Sequence, residues 1–425
     1  MKKYLYIILL IGGLFPGIIL AGGFQLNEHG AKPMGLGGAF TAIVNDASAV
    51  YWNGAGLSYL EGTNLLLGTA IIGPSTSFRG VAPQIDESNM TSQVFVPPHF
   101  FASHKLSEKF AVGLGVSVPF GLGTKWEEDW IGRYLAVETE LQTFSIPLVV
   151  SYAIMENLSV SVGGSYSFAN VTIAQANSQT PFVGDAFIKL EGEDNSAYGY
   201  NAGIMWKPNK ELSIGASFRS KVSYSFEGTA TSTGAEQLAA VLPAGNISAD
   251  LSTPMNIQFG AGYRVIEQLQ LSADFQWVGW SSYDKLAVDF EDEAYEDISR
   301  PRDYEDTYAI RFGAEYFLNK EFSFLGGIYY DKMPVKPEYL SPSLPDADRL
   351  GFSIGVDAKL FENFRVCGSY LFIRSSELTV TDSREIYTPY EEGNEDSAPK
   401  FNGTYNSYAN LVSLSISYSF NIGKE

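Results

Sequence analysis

Residues 158–168 read LSVSVGGSYSF, and this strict alternation decides the fold class. Large apolar residues alternate with serine or glycine, which is the period that places successive side chains on opposite faces of a β-strand. The closing stretch, LVSLSISYSF at 411–420, repeats the pattern. One small polar face and one large apolar face are typical of a strand with lipid outside. Because an open sheet edge in lipid would leave backbone groups unpaired, such strands must close into a barrel.

Turns along the chain fall into two kinds. Short polar turns join alternating segments, for example WKPNKELSI at 206–214 and YFLNKEFSF at 316–324. Long polar segments follow each pair, for example FEDEAYEDISRPRDYED at 290–306, which we expect to be a solvated loop. We therefore predict an all-β fold, a transmembrane antiparallel barrel of about 14 strands with short periplasmic turns and long extracellular loops. A soluble sandwich or propeller is the alternative, but it would have similar loops at both ends.

The first residues have the composition of an export signal. Lys2 and Lys3 precede an uncharged apolar run at 4–20, and Ala21 offers a small residue for cleavage. We predict that residues 1–21 are a signal peptide, with a retained membrane anchor as the alternative. The formal charge of −20 argues against nucleic acid as a partner, because phosphate binding needs a basic surface.

The segment from 22 to 62 differs from everything after it. It begins GGFQLNEHGAKPMGLGGAF, too rich in small residues for a regular strand or helix. A barrel of about 14 strands has a lumen too wide for its own side chains to fill. We therefore predict that residues 22–62 form a hatch inside the lumen and that residues 63–425 form the barrel. A flexible tail is the alternative, although this segment is more apolar than a solvated tail would be.

Several stretches together resemble the FadL-like outer-membrane transporters. The stretches that carry the resemblance are the N-terminal segment, FGLGTKW at 120–126, PMNIQFGAGYRV at 254–265, DFQWVGWSSYD at 274–284 and LPDADRLGFSIGV at 344–356. The resemblance implies a 14-stranded barrel with an N-terminal hatch, which carries long-chain fatty acids or related hydrophobic compounds across the outer membrane. It also implies that Phe24 reaches into the ligand pocket. Asn53, Gly54 and Ala55 correspond to the family's Asn-Pro-Ala hatch motif, and Gly54 is less restrained than proline.

The third strand contains a candidate side exit. In LGVSVPFGLG at 114–123, Pro119 cannot donate to the strand ladder and Gly121 permits a kink, with Phe120 between them. The resemblance points to the same place, because the family's third strand bends there and opens a window in the wall. The alternative is that Pro119 only ends the strand.

The loop KWEEDWIGRYLAV at 125–137 is the candidate capture surface. Trp126, Trp130 and Leu135 are apolar residues of an otherwise acidic loop, and we predict that they form an exposed docking groove. Ordinary packing of loop against loop is the alternative.

A carboxylated ligand would need a buried cation, whereas a neutral hydrophobic compound needs none. Arg219, Lys221, Arg264 and Arg311 are the candidates, with Arg219 preferred. Fatty-acid members of the family carry a basic residue after the fifth strand, where this chain reads NVTIAQANSQ at 170–179. That difference argues against a fatty acid and for a neutral compound.

These features predict a monomeric outer-membrane transporter that captures a hydrophobic compound with its loops, passes it by the hatch and releases it sideways into the membrane. We expect contacts with membrane lipid and lipopolysaccharide, and no cofactor or metal. A diffusion porin is one alternative, but the predicted inward residues are mostly small, with charge confined to loops. A barrel enzyme is the other alternative, and it lacks a nucleophile motif beside His29, His99 and His104. Aromatic residues in FQWVGW at 275–280 and GIYYD at 327–331 are predicted to form interfacial girdles.

Overall fold

The computed structural model of the protein describes residues 22–178, 184–234, 242–386 and 399–421. The predicted signal peptide lies outside these residues. Within them, fourteen strands form the wall. They are β1 Thr63–Gly80, β2 Pro98–Lys105, β3 in two pieces Phe110–Val116 and Gly121–Lys125, β4 Glu138–Met155, β5 Leu158–Ser178, β6 Asp185–Trp206, β7 Leu212–Arg219 and Val222–Thr233, β8 Gly245–Thr253 and Asn256–Ile266, β9 Leu269–Val278, β10 Thr307–Phe317, β11 Phe322–Asp331, β12 Arg349–Phe361, β13 Phe364–Ser375 and β14 Gly403–Phe420.

Four short strands extend this wall at its loop ends. They are Glu87–Asn89, Lys285–Phe290, Ile298–Pro301 and Leu378–Val380. Ile298–Pro301 pairs with Lys285–Phe290 to make a hairpin. The second strand of this hairpin lies in the acidic segment at 290–306, so the prediction of a solvated loop is wrong there. Arg302 and Tyr304 are 4% and 5% exposed, because their side chains pack inward while the acidic ones stay in solvent.

The first and last strands close the barrel. β1 and β14 pair antiparallel along their whole length, from Thr63 opposite Phe420 to Gly80 opposite Gly403. Closure removes the open edge that a membrane sheet cannot have. The predicted closed antiparallel barrel is confirmed.

The longest uninterrupted strands, β5 and β6, run well beyond what a membrane requires. β5 has 21 residues and β6 has 22, and the two pair along most of their length. A spanning strand needs only about 9–11 residues. The extra residues of these strands therefore continue the hairpin outside the membrane.

The predicted faces of the wall are confirmed in β5 and β14. Val162 and Leu414 are exposed on the outside, whereas Ser159, Ser161 and Ser413 are buried. The girdle prediction fails for two aromatic side chains, since Trp280 and Tyr329 are buried inside. They point inward because the lumen holds a folded segment against which large rings can pack.

The N-terminal segment, residues 22–62, contains three short helical turns. They are α1 Ala31–Gly35, α2 Ala49–Trp52 and the 3₁₀ turn Gly54–Tyr59. Serines of the wall bind its backbone: Ser415 Oγ accepts from Ala31 N at 2.9 Å, and Ser159 Oγ donates to Ala55 O at 2.8 Å. These serines lie on β14 and β5, so the segment is held by widely separated strands. No helix in the described part of the chain is long and apolar enough to span a membrane.

Charged side chains of the wall also bind this segment. Lys32 Nζ lies 2.8 Å from Glu315 and 3.6 Å from Asp357, and Asp274 accepts from the Phe40 and Thr41 backbone N–H groups. The prediction that charge is confined to loops is therefore wrong. Lys32 and the free N–H groups need partners away from water, and buried carboxylates supply them.

Candidate functional site

Two apolar cavities meet inside the barrel. Cavity A has a volume of about 300 Å³ and cavity B about 100 Å³. Phe24, Leu122, Leu141 and Leu344 line both. These four residues therefore lie between the two cavities and form the partition that separates them.

Phe24 is held by a cluster of aromatic rings. Its ring lies edge-to-face on Trp280, Tyr283 and Phe120, with centroid separations of 4.8, 5.8 and 6.0 Å. Each such pair contributes about 0.5–1.5 kcal/mol beyond the burial of area. The side chain is only 5% exposed, so the cluster holds it firmly in the partition.

The backbone around Phe24 binds the interruption of β3. Leu26 N donates to Pro119 O at 2.9 Å, and Gly121 N donates to Phe24 O at 3.0 Å. Phe24 and the Pro119–Gly121 stretch were singled out separately from the sequence, and the fold brings them together. The N-terminal segment thus takes the place of a missing strand neighbour.

The same interruption breaks the wall between β2 and β3. Pairing runs only from Phe100 opposite Val116 to Lys105 opposite Ala111. In the described part of the chain, the next backbone bond between the two sides is from Thr91 N to Lys125 O at 2.7 Å. Pro97 and Pro98, which have no N–H, lie in the gap and line cavity A. Cavity A therefore reaches a stretch of wall where β2 and β3 are not paired by backbone hydrogen bonds.

Cavity A also has a charged side. Arg311 and Arg349 line it together with Glu28 and Asp331. Arg311 Nη2 donates to Gln276 Oε1 at 2.9 Å, and its guanidinium lies 5.0 Å from the centre of the Tyr329 ring. Arg349 Nη2 donates to Gly23 O at 2.7 Å. Arg349 therefore holds the start of the N-terminal segment beside the cavity.

Two arginines line cavity B, Arg300 on the loop hairpin and Arg302 directly after it. Arg302 forms a salt bridge with Glu385 at 2.7 Å. Burial lowers the pKa of Arg302, but Tyr283 and Glu385 raise it further and the net pKa lies above its usual value. Arg300 Nη2 donates to Gln175 Oε1 at 3.0 Å and forms no salt bridge with any described carboxylate. Burial lowers the pKa of Arg300, yet a guanidinium stays protonated at neutral pH.

The predicted cations lie elsewhere. Arg219 donates to Tyr51 O at 2.7 Å and stacks on the Tyr51 ring, beside a third cavity of about 60 Å³. Lys221 is exposed, and Arg264 donates to Glu267 O near a short turn. Arg311 alone among the four candidates lines one of the two apolar cavities. A ligand role for Arg219 stays a prediction, but its guanidinium does not line cavity A or B.

The candidate docking groove is not exposed. The rings of Trp126 and Trp130 stack at 4.1 Å, and these residues are only 1% and 5% exposed. Phe78 and Phe401 pack around Trp130. The prediction of exposed rings is wrong, because large aromatic faces gain more by packing together than by facing water. Leu135 is buried too, but it lines cavity B, so its binding role stays a prediction.

The Asn53–Gly54–Ala55 corner is fixed by the asparagine side chain. Asn53 Nδ2 donates to Thr41 O and Ile204 O, and its Oδ1 accepts from Ala55 N at 3.2 Å. These bonds join the corner to the rest of the N-terminal segment and to β6. The hydrogen bonds of Asn53 therefore fix the backbone of this corner even though residue 54 is a glycine.

Several residues around the cavities were missed from the sequence. They are Trp280, Tyr283, Arg300, Arg302 and Leu344. Trp280 lies in a stretch that was assigned to an interfacial girdle, and the arginines lie within an acidic run. The one available signal was SRPR at 299–302, a pair of cations inside otherwise acidic sequence.

The closed membrane barrel with apolar cavities at a broken wall defines a class of protein, the outer-membrane β-barrels that transport small molecules. A family model described as outer membrane protein transport protein (OMPP1/FadL/TodX) matches residues 14–420. The chain belongs to this family.

Individual relatives are similar along nearly their full length. The long-chain fatty acid transport protein of Escherichia coli O6:H1 is 26% identical, covering 87% of this chain and 91% of the relative. The crystal structure of a Pseudomonas aeruginosa FadL homologue superposes with a TM-score of 0.84 at 19% identity, covering 94% of this chain and 100% of that one. The P. putida toluene transporter TodX gives 0.76 at 16% identity, with 94% and 100% covered. The two structures share the fold with this chain.

Proposed function

We propose that this outer-membrane protein takes up hydrophobic compounds through cavity B, past Phe24, into cavity A and sideways through the gap between β2 and β3. The observation that carries the proposal is that cavity A has Phe24 on one side and an unpaired stretch of wall on the other. A hydrophobic solute gains nothing from a watery pore, so an apolar route that ends in lipid suits it. The relatives named for fatty acid and toluene transport support the same class of cargo.

In this proposal, residues 1–21 are removed and residues 22–62 are the hatch. The buried contacts of Lys32 with Glu315 and of Asp274 with the Phe40 N–H support a closed lumen rather than an open porin. We propose transport and no catalysis. A monomeric barrel and contact of the acidic loops with lipopolysaccharide stay predictions.

We propose further that the cargo carries a carboxylate and that Arg300 binds it. The stretch 170–179, where the resemblance to fatty-acid members implies a basic residue, has none, but Arg300 reaches Gln175 in this stretch from another loop. A guanidinium that forms no salt bridge with a described carboxylate, beside Ile173, Leu190 and Val288, suits the head of an amphiphile. The chain would lie along cavity B and, once Phe24 moves, continue into cavity A.

Calorimetric binding of oleate and methyl oleate to the detergent-purified protein tests this assignment. Arg300→Gln should weaken oleate binding at least about tenfold, since a hydrogen bond to a charged group contributes about 1.5–3 kcal/mol. Methyl oleate binding should not change. Arg264→Gln is the matched control, because Arg264 lies away from both cavities. Equal binding of oleate and its ester by the wild type would contradict the carboxylate assignment and leave neutral compounds as cargo.

A further inference from the structure

The position of Gly22 points to a function for the new chain end that cleavage would create. A Cβ atom on Gly22 would lie 2.4 and 2.6 Å from the two carboxylate oxygens of Asp331. Since a bond from Cα to carbon is about 1.5 Å, the Gly22 Cα lies within about 4 Å of that carboxylate. Gly22 and Asp331 are both buried, so the two groups face each other away from bulk water.

The next residue is fixed by separate contacts. Gly23 N donates to Asp346 Oδ2 at 2.8 Å, and Gly23 O accepts from Arg349. Arg349 in turn forms a salt bridge with Asp346 at 3.0 Å. A Cβ on Gly23 would lie 2.4 Å from the Trp280 ring, so the chain passes through a space that only glycine fits. These contacts fix the chain directly after Gly22 and so keep the Gly22 Cα beside the Asp331 carboxylate.

The charges around this chain end do not balance. Glu28, Asp331 and Asp346 are three carboxylates, and the guanidiniums that act on them are those of Arg311 and Arg349. Asp331 forms no salt bridge with a described lysine or arginine. A buried carboxylate without a cation partner is costly. One further positive charge next to Asp331 would complete the cluster.

We propose that cleavage before Gly22 supplies this charge, and that the new α-ammonium group pairs with Asp331 and so holds Phe24 in the partition. In the cleavage, water adds across the Ala21–Gly22 peptide bond, leaving a carboxylate on Ala21 and an ammonium group on Gly22. Asp331 is then a positioning residue, because it would hold the amino group of Gly22, which is two residues before Phe24. The inference rests on the proposed removal of residues 1–21 and on the proposed role of Phe24.

Chemical labelling of the α-amine tests the pair without any transport assay. The purified protein is treated with an amine-acylating reagent near pH 7, and the N-terminal peptide is followed by mass spectrometry. A free α-amine, with a pKa of about 7.7–8.0, reacts readily at this pH. The folded wild type should react at least about tenfold more slowly than Asp331→Asn. Detergent-denatured protein should react fully.

Two further variants keep the test decisive. Asp289→Asn removes an exposed carboxylate of the loop hairpin and should leave the labelling rate unchanged. Gly22→Ser keeps Asp331, but the added side chain must displace the chain end from that carboxylate. Its α-amine should therefore be labelled as fast as that of Asp331→Asn. This variant tests the inference if Asp331→Asn fails to fold. A mature chain that does not begin at Gly22 would overturn the inference. So would a wild-type amine that reacts as fast as the Asp331→Asn amine, whereas loss of transport alone concerns only the proposed function.

Discussion

At the scale of single residues, Gly54 shows what the hatch motif requires in this chain. A Cβ at this position would lie 2.5 Å from Val149 Cγ1 and 2.8 Å from Ser161 Oγ. The corner therefore lies directly against the wall, and Asn53 supplies the bonds that fix it. Glycine is needed here for space rather than for freedom of the backbone.

Gly54→Ala is expected to destabilise the folded protein by about 1–3 kcal/mol, because an added methyl group overpacks the contact with Val149. Thermal unfolding of the purified protein in detergent measures the effect as a lower Tm. Gly326→Ala is the matched control, since a Cβ there has no neighbour within 4 Å. The double variant with Gly54→Ala and Val149→Ala should regain part of the lost Tm, because the smaller side chain at 149 makes room for the added methyl group. Equal Tm values for Gly54→Ala and Gly326→Ala would mean that the corner is not packed against the wall.

At the scale of elements, β3 is a strand that stops and restarts. Its first piece ends at Val116 and its second begins at Gly121, with Pro119 between them. The residues between the two pieces still form hydrogen bonds. Phe120 N donates to Thr143 Oγ1 at 3.0 Å, and Leu26 N donates to Pro119 O. The element is therefore broken toward β2 while it stays bound to β4 and to the N-terminal segment.

Replacing Pro119 and Gly121 with valine should favour a continuous strand, because valine restores the N–H donor and has a high strand propensity. We expect ligand binding to be kept and oleate uptake by cells to slow several-fold, since release sideways needs the gap. Comparing the uptake of radiolabelled oleate by cells with oleate binding to the purified variant separates release from binding. Gly368→Val, on β13 with open space around it, is the control. Normal uptake by the double variant would argue against a side exit.

At the scale of the whole molecule, the barrel and the N-terminal segment depend on each other. Wall strands supply carboxylates to Lys32 and to free backbone N–H groups, and the segment supplies the partners that make those buried carboxylates tolerable. The segment's first residues have a different role, because residues 23–28 line cavity A and Phe24 lines cavity B as well.

Deleting residues 22–30 should abolish oleate uptake while leaving a folded barrel, because β1 begins only at Thr63 and pairs with β14 without this segment. Uptake by cells and a heat-dependent shift in gel mobility measure the two properties. Deleting residues 83–86, an exposed loop stretch, is the control and should leave uptake unchanged. Unchanged uptake after deletion of residues 22–30 would show that these residues are not needed for transport.

The sequence by itself determined the wall of this protein. The period of two in LSVSVGGSYSF, the short turns and the long loops are local signals, and local signals are enough to predict strands, their faces and their approximate number. The break at Pro119 was visible for the same reason, since proline acts through its own missing N–H. The unusual composition of residues 22–62 also set that segment apart.

Only the tertiary structure decided what fills and lines the lumen. Phe24, Trp280 and Leu344 are far apart in sequence, and nothing local records that they meet. Arg300 was missed and the exposure of Trp126 was misjudged, because charge and exposure were inferred from neighbours in the chain, whereas burial depends on which strands the barrel brings together. The same holds for Asp331 and Gly22, whose contact exists only because the barrel closes around the beginning of its own chain.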